Sequence, residues 1–164
     1  FPKENADAYE VVKQYSDNLK SNIEAGKGLI LRGPAGTGKT SIAVSLLKEV
    51  IALGKSCMMI SMPNLLDTML SLSKGDNVAF MNYEQKLRSI PLLLLDDFGA
   101  EYSKSEWVAT KVDSIIIDRY NNMRSIILTT NYSETWTKDH YSQRIYDRLR
   151  GEYAEAIFFG ESHR

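Results

Sequence analysis

Apolar residues recur along the chain in two patterns, one typical of helices and one typical of buried strands. From Ala8 to Glu24 they follow helical spacing and predict an amphipathic helix. Short continuous apolar runs follow, and such runs are typical of parallel strands that are buried on both faces. The predicted strands are Leu29–Leu31, Ser56–Ser61, Leu92–Leu95, Ile126–Asn131 and Ala156–Phe159.

Helical patterns fill the intervals between these strands. Apolar residues from Ile42 to Val50 are spaced as in a helix until Gly54 ends the pattern, and further helices are predicted over residues 105–121 and 141–150. Residues 63–88 predict a helical insertion of two short helices, separated by the polar stretch 73–77. Strands that alternate with helices in this way predict a three-layer α/β domain around a parallel sheet.

A glycine-rich segment joins the first strand to the next helix and fits the pattern G-x-x-x-x-G-K-[ST]. Its residues are Gly33, Pro34, Ala35, Gly36, Thr37, Gly38, Lys39 and Thr40. The glycines allow a tight turn whose amides, together with the helix N-terminus, can hold a polyphosphate. Lys39 adds a positive charge near the terminal phosphates, and Thr40 supplies a hydroxyl of the kind that ligates Mg²⁺. A simple glycine-rich turn is the alternative interpretation.

Two carboxylates, Asp96 and Asp97, follow the third strand, where ligands bind in open α/β sheets. Asp96 is the candidate Mg²⁺ ligand, and Asp97 is the candidate that activates an attacking water. A solvated strand end or a helix cap is the alternative. Asn131 lies at the polar end of the fourth strand, where its amide could reach a γ-phosphate or the water, or could simply serve a turn.

Composition narrows the classes of protein that remain. The 164 residues are about one domain long, and 20 basic residues against 21 acidic ones create no strong field toward nucleic acid or membrane. The one cysteine excludes an internal disulfide, and one Cys with two His excludes a zinc cluster. No signal peptide or membrane span is evident, so we expect a cytoplasmic protein with no membrane partner.

Four motifs together resemble the AAA+ ATPase domain of bacterial helicase loaders of the DnaC/DnaI type, with the transposon-associated IstB ATPases as close relatives. They are GPAGTGKT at 33–40, LLLLDDFGAE at 92–101, ILTTN at 127–131, and RIYDRL at 144–149 followed by FFGESHR at 158–164. The resemblance covers nearly the whole chain. Asp97 stands where many AAA+ proteins have Glu, and because an aspartate is one methylene shorter it must approach its water more closely.

The resemblance implies one AAA+ domain over residues 1–164, with sheet order 5-1-4-3-2 and without the usual C-terminal helical lid. It implies ATP or ADP and Mg²⁺ as ligands, with nucleotide held by residues 33–41, Ser41 included, and by the sensor-type Arg164. It also implies an arginine that completes a neighbouring subunit's site. Arg148 is the better match and Arg144, one turn earlier, the second candidate; surface charges paired with Asp147 or Glu152 are the alternative.

The partners that the resemblance implies are a replicative hexameric helicase, contacted through an N-terminal domain outside this chain, single-stranded DNA, and further copies of the chain in a helical or ring-like oligomer. Within the insertion, the candidate DNA contacts are Lys74, Lys86, Arg88, Phe80 and Tyr83. Solvated or core roles for these side chains remain equally open.

Three other functions remain open at this stage. A transposition role of the IstB type is not separated from helicase loading by sequence. A small nucleotide kinase also begins with a phosphate loop, and Asp118-Arg119-Tyr120 is similar to a motif of thymidylate kinases, although it lies inside a long helical pattern. The third is a nucleotide-dependent switch that binds ATP without appreciable hydrolysis, which the aspartate at position 97 would allow.

Overall fold

The computed structural model describes residues 3–100 and 106–160. Within these ranges five strands and eight α-helices follow a short 3-10 turn at Lys3–Asn5. The strands are β1 (Gly28–Arg32), β2 (Cys57–Ser61), β3 (Leu92–Asp96), β4 (Ser125–Thr130) and β5 (Tyr153–Ile157). The helices are α1 (Ala6–Asp17), α2 (Leu19–Glu24), α3 (Lys39–Ala52), α4 (Met62–Ser73), α5 (Asn77–Ser89), α6 (Glu106–Asn121), α7 (Glu134–His140) and α8 (Gln143–Glu152).

All strands are parallel and lie in the order β2-β3-β4-β1-β5, which confirms the predicted order. Strand β4 lies between β1 and β3, with Ile127 opposite Leu29 on one side and Leu94 on the other. The carboxyl ends of these three central strands therefore meet at one edge of the sheet. The glycine-rich segment, the two acids and Asn131 all leave the sheet at that edge.

Helices cover both faces of the sheet because the central strands are apolar on both sides. In β3, Leu93 and Leu95 pack into a core with α4, α5, α6 and α8, whereas Leu92 and Leu94 face α1, α2 and α3. Both sets of leucines are at most 1% exposed. The two short helices predicted over residues 63–88 are α4 and α5, and both contribute buried residues to the first core. No helix of the described ranges is long and apolar enough to cross a bilayer.

The predicted helix from Ala8 to Glu24 was wrong in one respect, because the structure divides it into α1 and α2 at Asn18. There the side-chain amide of Asn18 donates to the carbonyl of Gln14 at 2.9 Å, and that of Asn22 donates to Tyr15 at 3.0 Å. Asparagine amides compete in this way with the backbone donors of a continuing helix. The apolar stripe still packs on the sheet, since Tyr15 and Leu19 are both buried.

The last strand was also predicted wrongly. It spans Tyr153–Ile157 rather than Ala156–Phe159, and only Tyr153 and Ala156 within it are buried. Within the described residues β5 pairs only with β1, so it is an edge strand that needs no continuous apolar run. Phe158 is buried just beyond it, where its N–H donates to the carbonyl of Arg32 at 2.7 Å.

The triplet similar to a kinase motif lies inside α6, and its arginine has a structural role. Arg119 is fully buried, and its guanidinium donates to the carbonyls of Leu87 at 2.7 Å and Ser125 at 2.6 Å, with longer bonds to Arg88 and Pro91. Burial lowers the pKa of this guanidinium to about 10, so it stays charged at neutral pH. It therefore ties α5 and the starts of β3 and β4 to α6, which removes the main support for a kinase.

Replacing Arg119 with lysine or alanine is expected to lower the free energy of unfolding by about 3 kcal/mol or more, because several buried carbonyls lose their donors. Urea unfolding followed by tryptophan fluorescence measures the loss. Arg124→Ala, at an exposed arginine five residues further along, is the matched control and should change stability little. Equal stability of the Arg119 and Arg124 variants would contradict this role.

Candidate active site

The glycine-rich segment between β1 and α3 adopts backbone angles that glycine favours. Gly38 has φ 87° directly before the first residue of α3, and Gly33 has φ 149°. A Cβ atom on Gly33 would lie 2.3 Å from the carbonyl oxygen of Phe158, so the close approach of these two segments requires glycine. Strand, turn and helix N-terminus therefore have the arrangement of a phosphate-binding loop.

The side chain of Lys39 lies inside this loop and is only 5% exposed. Its Nζ donates to the carbonyls of Gly33 at 2.8 Å and Pro34 at 2.7 Å, with a longer contact to Thr37 Oγ1. Thr37 in turn donates to the Pro34 carbonyl at 2.9 Å. The ammonium group thus lies at the centre of the loop, where phosphate oxygens would offer it charged acceptors in place of neutral ones.

Asp96 and Asp97 occupy different positions although they are neighbours in sequence. Asp96 ends β3 and is 7% exposed, and its Oδ1 accepts hydrogen bonds from the hydroxyls of Thr40 at 2.9 Å and Thr129 at 2.6 Å. Asp97 begins the following turn with φ 57° and is exposed. One acid is therefore fixed against the phosphate loop, and the other is free to meet solvent and substrate.

The loop and the second acid meet Asn131 at a cavity of about 440 Å³. Asn131 follows β4 immediately, not as a strand residue as predicted, and its side chain is exposed. The lining residues are Ala35, Gly36, Gly38, Lys39, Thr40, Ser41, Asp97 and Asn131. Residues from three separate parts of the chain thus come together at the carboxyl edge of the sheet.

Two side chains beside the cavity are suitable ligands for a Mg²⁺ ion. Thr40 and Asp96 offer a hydroxyl and a carboxylate, the hard oxygen ligands that Mg²⁺ prefers, and they are already in contact with each other. Among the described residues no three Asp, Glu, His or Cys side chains cluster as a metal site of their own.

Thr129 belongs to this site and was not predicted as a site residue. It is 1% exposed in β4, its Oγ1 donates to Asp96, and the N–H of Asp97 donates to the same oxygen at 3.0 Å. The only sequence signal was a hydroxyl residue near the polar end of an apolar strand. Its contacts depend on β4 lying beside β3, which the residue pattern alone does not specify.

Comparison with known proteins identifies the family. A profile of the IstB-like ATP binding proteins matches residues 6–161, almost the entire chain. The chain belongs to this family. As an IstB-like ATP binding protein it is a nucleotide-binding AAA+ domain, in agreement with its loop and its sheet order.

Similar proteins include helicase loaders and an initiator of DNA replication. The chain is 26% identical over 157 residues to the replicative helicase loader DnaC of Buchnera aphidicola from Schizaphis graminum, covering 94% of this chain and 62% of that one. The crystal structure of a DnaC helicase loader superposes with a TM-score of 0.80 at 26% identity, over 97% of this chain and 92% of that chain. The replication initiator DnaA bound to AMPPCP and single-stranded DNA gives 0.78 at 26% identity, over 97% and 48%.

Two candidate arginines of this IstB-like domain, Arg144 and Arg148, lie on α8, a helix that adds no residue to the lining of the cavity described above. Ile145, Tyr146 and Leu149 bury one face of α8. Arg148 is half-buried against α6, with its guanidinium carbon 4.8 Å from the ring centre of Tyr120 and one N–H donated to the carbonyl of Arg144 at 3.0 Å, while its Nε is buried without a hydrogen-bond partner among the described residues. Within the described ranges Arg148 forms no ion pair, and α8 adds no residue to the cavity lining.

The other side chains that the sequence predicts as functional differ in their burial and in their contacts. Arg144 is exposed and lines an open groove between α6 and α8. Arg164 lies outside the described residues. In the insertion, Phe80 stacks on Trp107 with ring centres 5.8 Å apart, the hydroxyl of Tyr83 is buried, and Arg88 pairs with Glu84 at 3.3 Å. Lys74 and Lys86 are exposed. The roles of all these side chains remain predictions.

Proposed function

We propose that this chain is the ATP-hydrolysing domain of a replicative helicase loader that acts as an oligomer on single-stranded DNA. The observation that carries the proposal is the cavity at which Lys39, Asp97 and Asn131 meet beside the Thr40–Asp96 pair. The names of the DnaC relatives support the biological setting. The chain spans 62% of the first of these relatives, so loading and partner binding are proposed for the complete protein.

ATP binding is proposed to use the loop from Gly33 to Ser41. Residues of the loop and of the start of α3 line the cavity, where the positive end of the helix favours a polyphosphate. Lys39 would exchange the carbonyls of Gly33 and Pro34 for phosphate oxygens. Thr40 and Asp96 would hold Mg²⁺, which when bound neutralises the charge on the β- and γ-phosphates.

Hydrolysis is proposed to use Asp97 and Asn131, which also line the cavity. The Asp97 carboxylate takes a proton from a water whose oxygen attacks the γ-phosphorus, while the bond from that phosphorus to the β-γ bridging oxygen breaks and ADP leaves. The Asn131 amide donates to a γ-phosphate oxygen or orients the water. Because an aspartate is one methylene shorter than glutamate, Asp97 must approach its water closely, and its turn already projects it into solvent.

Completion of the site is proposed to come from a second copy of the chain. Arg148 or Arg144 on α8 would reach the γ-phosphate held by the neighbour, since α8 does not line its own cavity. Arg164 is proposed as a nucleotide contact within the same chain. Self-association into a ring or helix brings the α8 face of one copy to the phosphate loop of the next.

Partners are proposed from the relatives and from surface charge. The DnaA neighbour was solved with single-stranded DNA, and Lys74 and Lys86 in the insertion offer exposed charges to phosphates. Contact with the helicase is proposed to lie in a separate N-terminal domain, with residues 1–164 as the ATPase domain. The match to the IstB-like family supports transposition as a second candidate. Recovery of a transposase rather than a helicase with the full-length protein from cells would favour it.

The substitution Asp97→Asn is expected to lower ATP turnover by a factor of about 100 or more and to change ATP affinity only a few-fold, because it removes the base but keeps the shape. Phosphate release, measured with and without single-stranded DNA, gives turnover, and a fluorescent ATP analogue gives affinity. Asp76→Asn is the matched control, since an asparagine oxygen can still accept the N–H of Ala79 that caps α5.

Two outcomes would overturn this assignment in different ways. Unchanged turnover in Asp97→Asn would exclude Asp97 as the base but would not contradict the proposed ATPase activity. No turnover in the wild-type protein, with DNA or without it, would leave a nucleotide-dependent switch in place of an ATPase.

A further inference from the structure

We propose that Thr129 is a positioning residue that sets both acids of the ATP site through one hydroxyl, an inference that rests on the proposed ATPase function. Its Oγ1 donates to Asp96 Oδ1 at 2.6 Å and accepts the N–H of Asp97 at 3.0 Å. A hydroxyl has one proton to donate and lone pairs to accept with, so both bonds can form at once. The candidate metal ligand and the candidate base are thereby fixed to the same atom of β4.

The contact with Asp97 holds a backbone conformation that a side chain disfavours. Asp97 has φ 57°, in the left-handed region that residues other than glycine adopt uncommonly. Thr129 accepts from both backbone amides that flank the Asp97 Cα: its hydroxyl accepts the N–H of Asp97, and its own backbone carbonyl accepts the N–H of Phe98 at 2.7 Å. The direction in which Asp97 leaves the sheet therefore depends on Thr129.

The contact with Asp96 fixes the acid that faces Thr40. Asp96 Oδ1 accepts from Thr40 and Thr129, and Oδ1 is held between the phosphate loop on one side and β4 on the other. Carboxylates that bind metals are oriented by such outer hydrogen bonds, and loss of one lowers metal affinity or activity by about 10- to 100-fold. Thr129 is 1% exposed and absent from the cavity lining, so it acts through the acids and not on the nucleotide.

The next residue provides a matched control because it is also a buried threonine. Thr130 is 2% exposed, and its hydroxyl donates to the carbonyl of Phe98 at 2.7 Å and accepts the N–H of Tyr132 at 3.2 Å. It touches neither Asp96 nor Asp97 through its side chain. Valine at either position keeps the shape and removes one buried hydroxyl, so the two variants should lose similar stability.

The test compares Thr129→Val, Thr129→Ser and Thr130→Val. Thermal unfolding curves are measured first, and the assays are run at a temperature at which all three variants are folded. Thr129→Val is expected to lower kcat by about 10- to 100-fold and to raise the Mg²⁺ concentration for half-maximal turnover. Thr129→Ser, which keeps the hydroxyl, should recover most of the turnover. Thr130→Val should lose less turnover than Thr129→Val and keep the wild-type Mg²⁺ requirement, because the Thr130 hydroxyl bonds to the backbone of Phe98 and Tyr132 and not to Asp96.

A second readout does not need hydrolysis. A fluorescent ATP analogue is expected to bind wild type and Thr130→Val more tightly in Mg²⁺ than in EDTA, and Thr129→Val should lose most of this difference. Equal losses of turnover in the two valine variants, or no recovery in Thr129→Ser, would overturn the proposal. If wild type binds nucleotide without turning it over, the ATPase proposal fails, and the Mg²⁺ difference alone decides the role of Thr129.

Discussion

Replacing Lys39 with alanine is expected to abolish measurable ATP turnover and to weaken ATP binding by about 100-fold or more, since truncating one partner of a buried charged pair costs about 2–5 kcal/mol. Lys39 is the buried cation of the phosphate loop, with its Nζ less than 3 Å from two loop carbonyls. Calorimetric titration with ATP measures the affinity, and phosphate release measures the turnover. The two should fall together, in contrast to the separation expected for Asp97→Asn.

The control for Lys39→Ala must distinguish loss of the charge that binds phosphate from loss of the folded structure. Lys48→Ala lies on the same helix, at an exposed position, and should leave binding and turnover unchanged. The alanine at position 39 also removes donors from the carbonyls of Gly33 and Pro34, so thermal unfolding of the variant is measured alongside. Wild-type affinity and turnover in a folded Lys39→Ala protein would refute the proposed nucleotide site.

Much of the site could be predicted because its chemistry is local in sequence. The loop from Gly33 to Thr40 needs only a strand before it and a helix after it, and both are evident from apolar spacing. Asp96 and Asp97 were identified by the four leucines before them, since a fully buried strand must end at the carboxyl edge of a parallel sheet. Asn131 was identified by the same reasoning on β4.

What could not be predicted depends on contacts between distant segments. The role of Thr129 depends on β4 lying beside β3; the resemblance implied that order, but it did not specify which side chains meet across the two strands. Helix α7 was missed because its seven residues are too few for a periodic pattern, although Ser133 accepts the N–H of Trp136 as an N-cap. The predicted bounds of β5 were too close to the C-terminus, because the apolar run ending at Phe159 is a stronger signal than the weaker alternation of an edge strand.

Mixing Arg148→Ala with Lys39→Ala, two variants that should each be inactive, is expected to restore ATP turnover if an arginine of one copy completes the site of another. Arg148→Ala alone should lower kcat by roughly 1,000-fold, as loss of such arginines does in related chemistry. An equal mixture with Lys39→Ala should recover about a quarter of wild-type turnover, because one in four head-to-tail interfaces pairs an intact loop with an intact arginine. Phosphate release at several total protein concentrations measures this recovery.

The same mixture distinguishes the two candidates on α8. Arg148 is held over Tyr120, which restricts its guanidinium, whereas Arg144 is exposed on the α6–α8 groove. If Arg148 is the completing residue, Arg144→Ala should keep most of its turnover alone and gain nothing on mixing. Arg150→Ala, at a side chain 72% exposed on the same helix, controls for a general loss of positive charge.

Failure of the mixture to recover turnover would mean that Arg148 does not complete the site of a neighbouring copy. If Arg148→Ala and Lys39→Ala stay inactive together, and light scattering finds that both still assemble, then Arg148 serves its own chain or only the packing on Tyr120. If recovery occurs but does not rise with protein concentration, the copies are associated at every concentration used. Since α8 contributes nothing to the cavity of its own chain within the described residues, recovery is the result that the geometry favours.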